Sequence, residues 1–257
     1  MPQIVALDRE KHREFKVVKN CATRFAAKQH ILNVRAVEVG IAASDMPVFI
    51  NKHQDTGQLL LSAMASVTPG ESLFVDDQGW RAAWIPTTLQ TYPVLLVNAP
   101  NTKEGYAAGI VEDSEDFSKD DGDPLFDEDG GEAPFLKRAI ELLEGDVARD
   151  MQTQQMLAKL NELDAIRPVN INVTYGNDQN QTITGLHTVD EEALKSLTGE
   201  VLEEMNSKGY LMVAHALLMS LNQVNSIVQR HNQLGDKPSI KQIQLQIEKP
   251  KAETTVQ

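Results

Sequence analysis

Short runs of alternating or β-branched apolar residues fill the first hundred positions of the chain and predict strands. These runs cover residues 15–18, 31–39, 47–51, 58–67, 72–75, 80–85, 92–97 and 105–111. The segments NKHQDTG, TPGE and DDQG between them supply the Gly, Asp and Asn residues that tight turns require. The pattern therefore predicts an antiparallel or mixed sheet.

The apolar residues recur at intervals of three and four after residue 133, which is typical of helices with one buried face. A helical region extends from Pro134 to Pro168, and Gly145 marks either a kink or a break within it. Helical spacing returns at Leu211 and continues until Gly235. This last helix is apolar enough to be buried in the core.

Residues 168–189 alternate apolar and polar positions around the sequence GNDQNQ, which predicts a β-hairpin. Thr188 and Glu191 have the spacing of a capping box for a short helix after the hairpin. Thr198 is placed to cap the next helix, which closes near Gly209.

These elements predict an α+β fold, in which a β-rich N-terminal half packs with a mainly helical C-terminal half that contains one hairpin. We divide the chain into a β-rich lobe at 1–111, an acidic loop at 112–132 and a helical lobe at 133–240, with the hairpin at 168–189. The remaining tail, 241–257, is expected to be partly disordered. Within it, Ile243, Leu245 and Ile247 alternate like an edge strand.

The net charge of −13 is concentrated in one place, because residues 112–132 hold eleven carboxylates and a single lysine, Lys119. That segment accounts for −10 of the charge and leaves −3 for the rest of the chain. Such a segment repels the phosphates of nucleic acid, and we expect no nucleic-acid partner. Its glycines do not fall in the register of an EF-hand calcium loop, so we expect a solvated loop there.

The N-terminus lacks the apolar run of a secretory signal, and the apolar stretch 210–221 is well short of the roughly 20 residues that span a bilayer. We therefore expect neither a cleaved leader nor membrane insertion. The single cysteine, Cys21, excludes an internal disulfide and suits a reducing compartment. It lacks a neighbouring motif that would lower its pKa, so we expect an unreactive thiol in a cytoplasmic protein.

Two short matches to the H-x-[DE] pattern of non-haem iron sites occur, His12-Arg13-Glu14 and His53-Gln54-Asp55. In an acidic chain such matches arise by chance, and the second lies in a predicted turn. One hypothesis is nevertheless an oxygenase that binds iron through His53 and Asp55, with His187 or His215 as third ligand. We otherwise expect His215 to be a core histidine, and we predict no cofactor.

Residues 68–94 hold both tryptophans and a tyrosine, namely Trp80, Trp84 and Tyr92. Large aromatic residues of this kind either anchor a core or form a recognition surface, since they combine apolar area with a polar atom. We single out these three residues, together with Phe126, as a candidate interaction surface. Another hypothesis is a binding cleft for a small molecule or peptide, lined by Trp80, Trp84 and Tyr92.

The same stretch resembles the SapC family in its most distinctive motifs. The matching segments are GESLFVD at 70–76, Gly79-Trp80, WIP at 84–86 and TYPV at 91–94, followed by PLFDEDG at 124–130 and VDEEAL at 189–194. Ser72, Trp84, Thr91 and Val94 depart from the residues usual in the family. Together with His12-Arg13, the likeness covers most of residues 8–232.

The resemblance implies an accessory role in bacterial surface-layer or nutrient-uptake systems, and no catalytic residue is carried over with it. The sequence also has no nucleophile elbow, phosphate-binding loop or paired C-x-x-C motif. Our leading hypothesis is therefore a non-catalytic cytoplasmic protein that binds another protein.

Overall fold

The computed structural model describes residues 4–53, 56–99 and 105–248. Within these ranges the chain alternates between helices and mostly short strands. The helices are α1 (Cys21–Ala27), α2 (Ala36–Ala42), α3 (Thr87–Thr91), α4 (Pro134–Glu162), α5 (Glu191–Lys195), α6 (Gly199–Ser207), α7 (Tyr210–Ser220) and α8 (Val224–Leu234). A 3-10 helix at Leu221–Gln223 joins the last two helices.

The strands are distributed over the whole length of the chain. They are β1 (Ile4–Ala6), β2 (Lys16–Val17), β3 (Ile31–Val34), β4 (Val48–Lys52), β5 (Leu59–Met64), β6 (Val75–Asp76), β7 (Gly79–Trp80), β8 (Leu95–Asn98), β9 (Tyr106–Val111), β10 (Phe117–Ser118), β11 (Asp123–Pro124), β12 (Ile166–Tyr175), β13 (Asn180–Val189) and β14 (Ile240–Ile247). All the pairs between them are antiparallel. The α+β class is therefore confirmed.

The described residues form two compact units. The first falls within Met1–Lys28, Val75–Arg81 and Ile85–Arg149, and the second within Gln29–Phe74, Ala82–Trp84 and Asp150–Gln257. Both units draw on distant parts of the sequence, and α4 passes from one to the other. The predicted lobe boundaries at residues 111, 132 and 240 stay a prediction.

The first unit contains two three-stranded sheets, ordered β1-β9-β8 and β10-β2-β11, and the β6-β7 hairpin. Its core consists of apolar residues contributed by the strands and the segments beside them, by α1 and by the first turns of α4. The buried members are Val17, Cys21, Val94, Ile110, Leu125, Phe126, Leu136, Ala139 and Leu143.

The second unit is built on a six-stranded sheet with the order β14-β12-β13-β4-β5-β3. Strand β12 shows how its sequence suits this position, since Val169, Ile171 and Val173 are buried while the residues between them are not. The hairpin predicted at 168–189 is confirmed as β12 and β13. The alternation at Ile243, Leu245 and Ile247 is confirmed as the edge strand β14, whereas residues 249–257 lie outside the described part.

The predicted arrangement, a β-rich N-terminal half packed with a helical C-terminal half that has its own hairpin, does not hold for this sheet. Strands β3, β4 and β5 from the first half of the chain pair onto the hairpin from the second half, through β4 and β13. The pairing His187 with Ile50 joins residues far apart in sequence. Local patterns report which residues form strands, but they carry no information about which strands become neighbours.

The strand predicted at 31–39 is correct only to Val34, because α2 begins at Ala36. The Arg35 backbone N–H donates to the Glu38 carboxylate at 2.8 Å, which is the bond that a residue at the third helical position makes back to a helix N-cap. The β-branched residues Val37 and Val39 favoured a strand locally. In the helix Val39 is buried and Val37 is exposed, so tertiary packing overrides their propensity.

The strands predicted at 72–75, 80–85 and 92–97 are shorter or displaced in the structure. Of the first two, only Val75–Asp76 and Gly79–Trp80 pair, and the third begins later, as β8, because α3 precedes it. The Asp76 side chain explains the early end of the pairing, because it accepts from the Gln78 backbone N–H at 2.9 Å and forms a tight turn.

The acidic segment 112–132 is part of the first unit's structure, so the expectation of a solvated loop is wrong. Strands β10 and β11 flank β2 on both sides, and Leu125 and Phe126 enter the core. Its carbonyl oxygens accept hydrogen bonds from the basic N-terminal segment. These bonds are Arg9 to Asp129 at 2.9 Å, Arg13 to Glu128 at 2.6 Å and Lys16 to Asp120 at 2.9 Å.

The helices predicted after residue 133 are present with three corrections, the first being that the 3-10 helix at Leu221–Gln223 divides the stretch 211–235 into α7 and α8. Helix α4 is continuous through Gly145, so there is no break at that residue. The N-cap of α5 is Asp190 instead of Thr188, since the Asp190 carboxylate accepts from the backbone N–H groups of Glu192 and Ala193. Thr198 is the N-cap residue of α6, although its side chain makes no capping bond.

The stretch 210–234 is the one helical segment of the described chain with the length and apolarity to cross a membrane. A core helix of a globular domain meets the same criterion. Here Val213, Ala214 and Leu217 are buried, and the Val48 backbone N–H of β4 donates to the Ser220 hydroxyl at 2.9 Å. The predicted buried helix is therefore partly confirmed, because Met212 and Met219 on its other side are exposed.

Candidate functional site

Helix α1 separates two features of the first unit. Ala22, Thr23 and Ala26 line an apolar groove, whereas Arg24 and Phe25 contact a polar cluster around Asp116. The small side chains suit the first role, because they leave room for larger residues from other elements to form the walls.

The groove has a volume of about 350 Å³, and we call it the Trp80 groove. Its lining combines small residues of α1 with large apolar residues from three other segments. The lining residues are Ala22, Thr23, Ala26, Trp80, Ile85, Leu89, Gln90, Phe135 and Arg138. Ile85 is 50% exposed and adds accessible apolar surface to the groove.

Local structure holds the groove's walls in place. Gly79 has a φ of 102°, which lets the β6-β7 hairpin turn tightly before Trp80. The Gln90 side-chain amide donates to the Ile85 carbonyl oxygen at 2.9 Å and tethers the segment that carries Ile85. The walls are therefore set by the fold before any partner binds.

Arg138 is the cationic group at this groove, three residues after Phe135 on α4. The two residues lie on the same side of the helix because of that spacing. Arg138 is exposed and forms no ion pair with any residue in the described part of the chain. An apolar groove with a free guanidinium at its rim can accept an apolar segment that carries a carboxylate.

The second feature, the Asp116 cluster, consists of Asp116, Tyr92, Ser114 and Arg24. The Asp116 carboxylate is 7% exposed and accepts hydrogen bonds from the Tyr92 hydroxyl at 2.5 Å, the Ser114 hydroxyl at 2.7 Å and the Arg24 guanidinium at 3.1 Å. The Tyr92 ring also stacks on Phe25, with the ring centroids 4.1 Å apart. The cluster thus ties the C-terminal end of α3, the acidic segment and α1 together.

Burial by itself raises the pKa of Asp116, but the hydrogen bonds from Ser114, Tyr92 and Arg24 outweigh it and leave the pKa below its ordinary value. Burial, followed by the hydrogen bond to Asp116, raises the pKa of the Tyr92 hydroxyl. Asp116 is therefore ionised and Tyr92 neutral at pH 7. Because the carboxylate already accepts three bonds, this arrangement suits a structural role better than proton transfer.

Cys21 is the first residue of α1 and is 3% exposed. Burial, and then the negative charge of Asp116, raise the pKa of its thiol to about 11. At pH 8 we expect iodoacetamide to alkylate Cys21 at least ~100-fold more slowly in the folded protein than in urea, because so little thiolate is present. Mass spectrometry of quenched samples measures both rates, and equal rates would contradict the assignment of an unreactive thiol.

The four residues singled out as a candidate interaction surface do not come together. Trp80 lines the groove, and Tyr92 belongs to the Asp116 cluster in the same unit. Trp84 is 6% exposed and belongs to the second unit, and Phe126 is 9% exposed in the core of the first. Whether all four contribute to binding stays a prediction, although only Trp80 lines the apolar groove.

The histidines considered as metal ligands are dispersed. The His12 ring accepts from the Asp8 backbone N–H at 2.8 Å, which is a turn interaction, and His53 is exposed beside β4. Asp55 lies outside the described residues. His187 is half-buried on β13, and its burial, followed by the charge of Lys52, lowers its pKa. His215 is exposed, so its expected place in the core is wrong.

Across the described ranges, no three His, Cys, Asp or Glu side chains are close enough together to hold a metal ion. The residues that do define the groove were missed by sequence reasoning, namely Ile85, Phe135 and Arg138. Phe135 and Arg138 come together with Trp80 only through tertiary folding. The one available signal was the proline-bounded WIP segment, which places an aliphatic residue in an irregular stretch.

The structure defines the class of this protein as α+β. One of its two units has an apolar groove with a cationic residue at the rim. The sequence matches the family model SapC over residues 7–227, and because this covers most of its length, the chain belongs to the SapC family. Neither the curated proteins nor the solved structures contain a match to it.

Proposed function

We propose that this SapC family member is a non-catalytic accessory protein that binds another protein through the Trp80 groove. The observation that carries the proposal is the preformed apolar groove with half-exposed Ile85 on one side and an unpaired Arg138 on its rim. Binding sites between proteins concentrate their energy in a few residues, among which tryptophan and arginine are enriched, and the groove holds Trp80 and Arg138. A cytoplasmic location and a part in surface-layer or nutrient-uptake systems complete the proposal.

The groove's chemistry defines the partner. Its apolar lining suits two or three aliphatic or aromatic side chains from one short segment of the partner. Arg138 then favours a segment with an Asp, a Glu or a C-terminal carboxylate next to those side chains, because a guanidinium binds a carboxylate through two parallel hydrogen bonds. We therefore expect an apolar segment with an acidic residue.

A photocrosslinking experiment finds such a partner and tests where it binds. A benzophenone amino acid replaces Ile85 in the full chain, and cells are irradiated before mass spectrometry of the crosslinked peptides. The matched control carries the same residue at Ile4, which is also in the first unit and is 48% exposed. We expect crosslinks to one apolar, acidic segment from position 85 and none to that segment from position 4.

Binding of the crosslinked segment, made as a synthetic peptide, is then measured by tryptophan fluorescence in a Trp84→Phe background. Trp80 is then the sole tryptophan and reports on the groove directly. We expect Arg138→Gln to weaken binding about fivefold, since ion pairs at the edge of an interface contribute roughly 1 kcal/mol. Lys137→Gln makes the same charge change at the exposed neighbouring residue, which does not line the groove, and should leave the affinity unchanged.

Truncation of the tryptophan itself is the more severe change. Trp80→Ala should weaken peptide binding by a factor of about 30 or more, as expected for a central aromatic residue worth at least 2 kcal/mol. Isothermal titration calorimetry measures this variant, which lacks the fluorescent reporter. Unchanged affinity in both Trp80→Ala and Arg138→Gln would show that the partner binds elsewhere and would overturn the proposal.

A further inference from the structure

Strand β14 forms an edge of the six-stranded sheet, and its one lysine, Lys241, lies at a register shift at the start of the strand. From Gln242 onward the strand lacks the charges and prolines by which proteins protect such edges. Its described pairing is with β12 alone. The six residues Gln242 to Ile247 contain neither a charge nor a proline, and the three glutamine side chains among them are exposed. Natural edge strands of this length are normally protected by lysines, prolines, bulges or a covering element, because free backbone groups pair with other chains.

The two faces of β14 continue the two faces of the sheet. Gln242, Gln244 and Gln246 lie opposite Thr174, Asn172 and Asn170 of β12, which extends an uncharged face of amides and hydroxyls. Ile243, Leu245 and Ile247 lie opposite Val173, Ile171 and Val169 on the apolar face. Any strand added to this edge must therefore present glutamine-like residues on one face and aliphatic residues on the other.

A second copy of β14 meets this requirement by symmetry. A two-fold axis perpendicular to the sheet sets two β14 strands antiparallel and keeps each face on its own side. With Gln244 opposite Gln244 of the other copy, glutamines lie opposite glutamines and Ile243 lies opposite Leu245, while Ile247 lies opposite Lys241. Each glutamine amide both donates and accepts hydrogen bonds, so a row of them is complementary to itself.

The charges at the ends of the strand favour the same arrangement. Lys241 precedes the uncharged stretch and Glu248 follows it. Antiparallel pairing centred on Gln244 brings Lys241 of each copy to the end of the seam where Glu248 of the other copy lies. Parallel pairing would instead place like charges together, which is unfavourable.

We propose that the protein self-associates through antiparallel pairing of β14 with β14 of a second copy, which joins two six-stranded sheets into one. A single strand seam buries less area than the roughly 1,600 Å² of a standard interface, so the dimer is weak and forms at micromolar or higher concentration. This surface is separate in sequence from the Trp80 groove, and the inference does not depend on the function proposed for that groove.

Sedimentation velocity of the full chain over a concentration series tests the inference. We expect the wild-type protein to shift from monomer to dimer, and Gln244→Lys to remain monomeric, because the two new lysines lie directly opposite each other at the axis, with Cβ atoms about 5 Å apart, and their like charges repel. Thr184→Lys adds the same charge to an exposed position of β13, two strands from the edge, and should dimerise like the wild type. Far-UV circular dichroism confirms that each variant is folded.

A charge exchange separates self-pairing from addition of an unrelated peptide strand. Lys241→Glu alone should weaken dimerisation at least about fivefold, because two exposed ion pairs of roughly 0.5 kcal/mol each are lost and like charges replace them. Adding Glu248→Lys should restore it, since the two charges have exchanged places. The loss of the exposed Lys241 to Asp178 ion pair is common to both variants and cannot explain a restoration.

Three results would overturn the inference. They are a wild-type protein that stays monomeric at every concentration, a dimer that survives Gln244→Lys, and a double variant no better than Lys241→Glu. If the dimer forms through β14, hydrogen exchange at the backbone amides of β14 will become slower as the protein concentration rises.

Discussion

Replacing Asp116 with Asn will lower the free energy of unfolding of the first unit by about 2–4 kcal/mol, the range for breaking a buried, charge-assisted hydrogen-bond network. The carboxylate accepts bonds from Tyr92, Ser114 and Arg24. The asparagine amide retains a single acceptor oxygen and directs an N–H₂ group toward these donors. The Arg24 guanidinium also loses its counter-charge.

Urea unfolding in the Trp84→Phe background measures this effect, because Trp80 then reports on the first unit alone. Asp113→Asn makes the same chemical change at an exposed position three residues earlier and should alter stability by less than about 0.5 kcal/mol. Similar losses in the two variants would mean that the Asp116 cluster has no special part in stability.

The pH dependence of stability follows from the lowered pKa of Asp116. A carboxyl group whose pKa is lower in the folded than in the unfolded state stabilises the fold fully above its unfolded value of about 3.9. That contribution is lost as the pH falls below this value and through the folded-state pKa. Between pH 6 and pH 3 we expect the wild type to lose more stability than Asp116→Asn, and parallel curves would contradict this origin.

Replacing Gly122 with Ala will destabilise the first unit by about 4 kcal/mol, because it combines backbone strain with a direct steric overlap. Gly122 has a φ of 130°, and a Cβ atom at this position would overlap the Val17 carbonyl oxygen. Val17 belongs to β2, the central strand between β10 and β11. The overlap therefore separates the acidic segment from the strand on which it is ordered.

Gly79→Ala is the matched control for backbone strain. Gly79 has a φ of 102°, but an added Cβ would meet no atom within 4 Å. It should therefore cost only the 1–2 kcal/mol of an unfavourable backbone angle. Urea unfolding followed by circular dichroism measures both variants, and equal costs would show that the close approach of Gly122 to β2 is not maintained in solution.

Where a segment's pattern is long and strongly periodic, its sequence was enough to predict the structure. The hairpin of β12 and β13, the helical stretch that ends at Gly235 and the alternation of β14 all have such patterns. Gly235 shows why helix ends can be predicted, since its φ of 72° is an angle that glycine adopts without strain.

Short segments with β-branched or acidic residues were predicted less well. Val37 and Val39 favour a strand, yet they form a helix because Glu38 caps its start and Val39 finds a buried position. Asp116 was one of eleven carboxylates in a segment expected to be solvated. Its burial depends on Tyr92 and Arg24, which reach it from other elements of the first unit.

The candidate site depended even more on folding than the secondary structure did. Trp80 was singled out from its residue type, but Ile85, Phe135 and Arg138 have no sequence pattern in common with it. An apolar groove is a property of side chains that converge from several segments, and the spacing of residues within any one segment does not encode that convergence.

For this protein, residue order alone established the α+β class, the family motifs, the concentrated acidic charge and the hairpin, because each is a property of neighbouring residues. Folding decided that strands from both halves of the chain share a sheet, that the acidic segment enters a core, and that Arg138 lies beside Trp80. Those outcomes depend on contacts between residues distant in sequence, whose free energies are set by packing and burial throughout each unit.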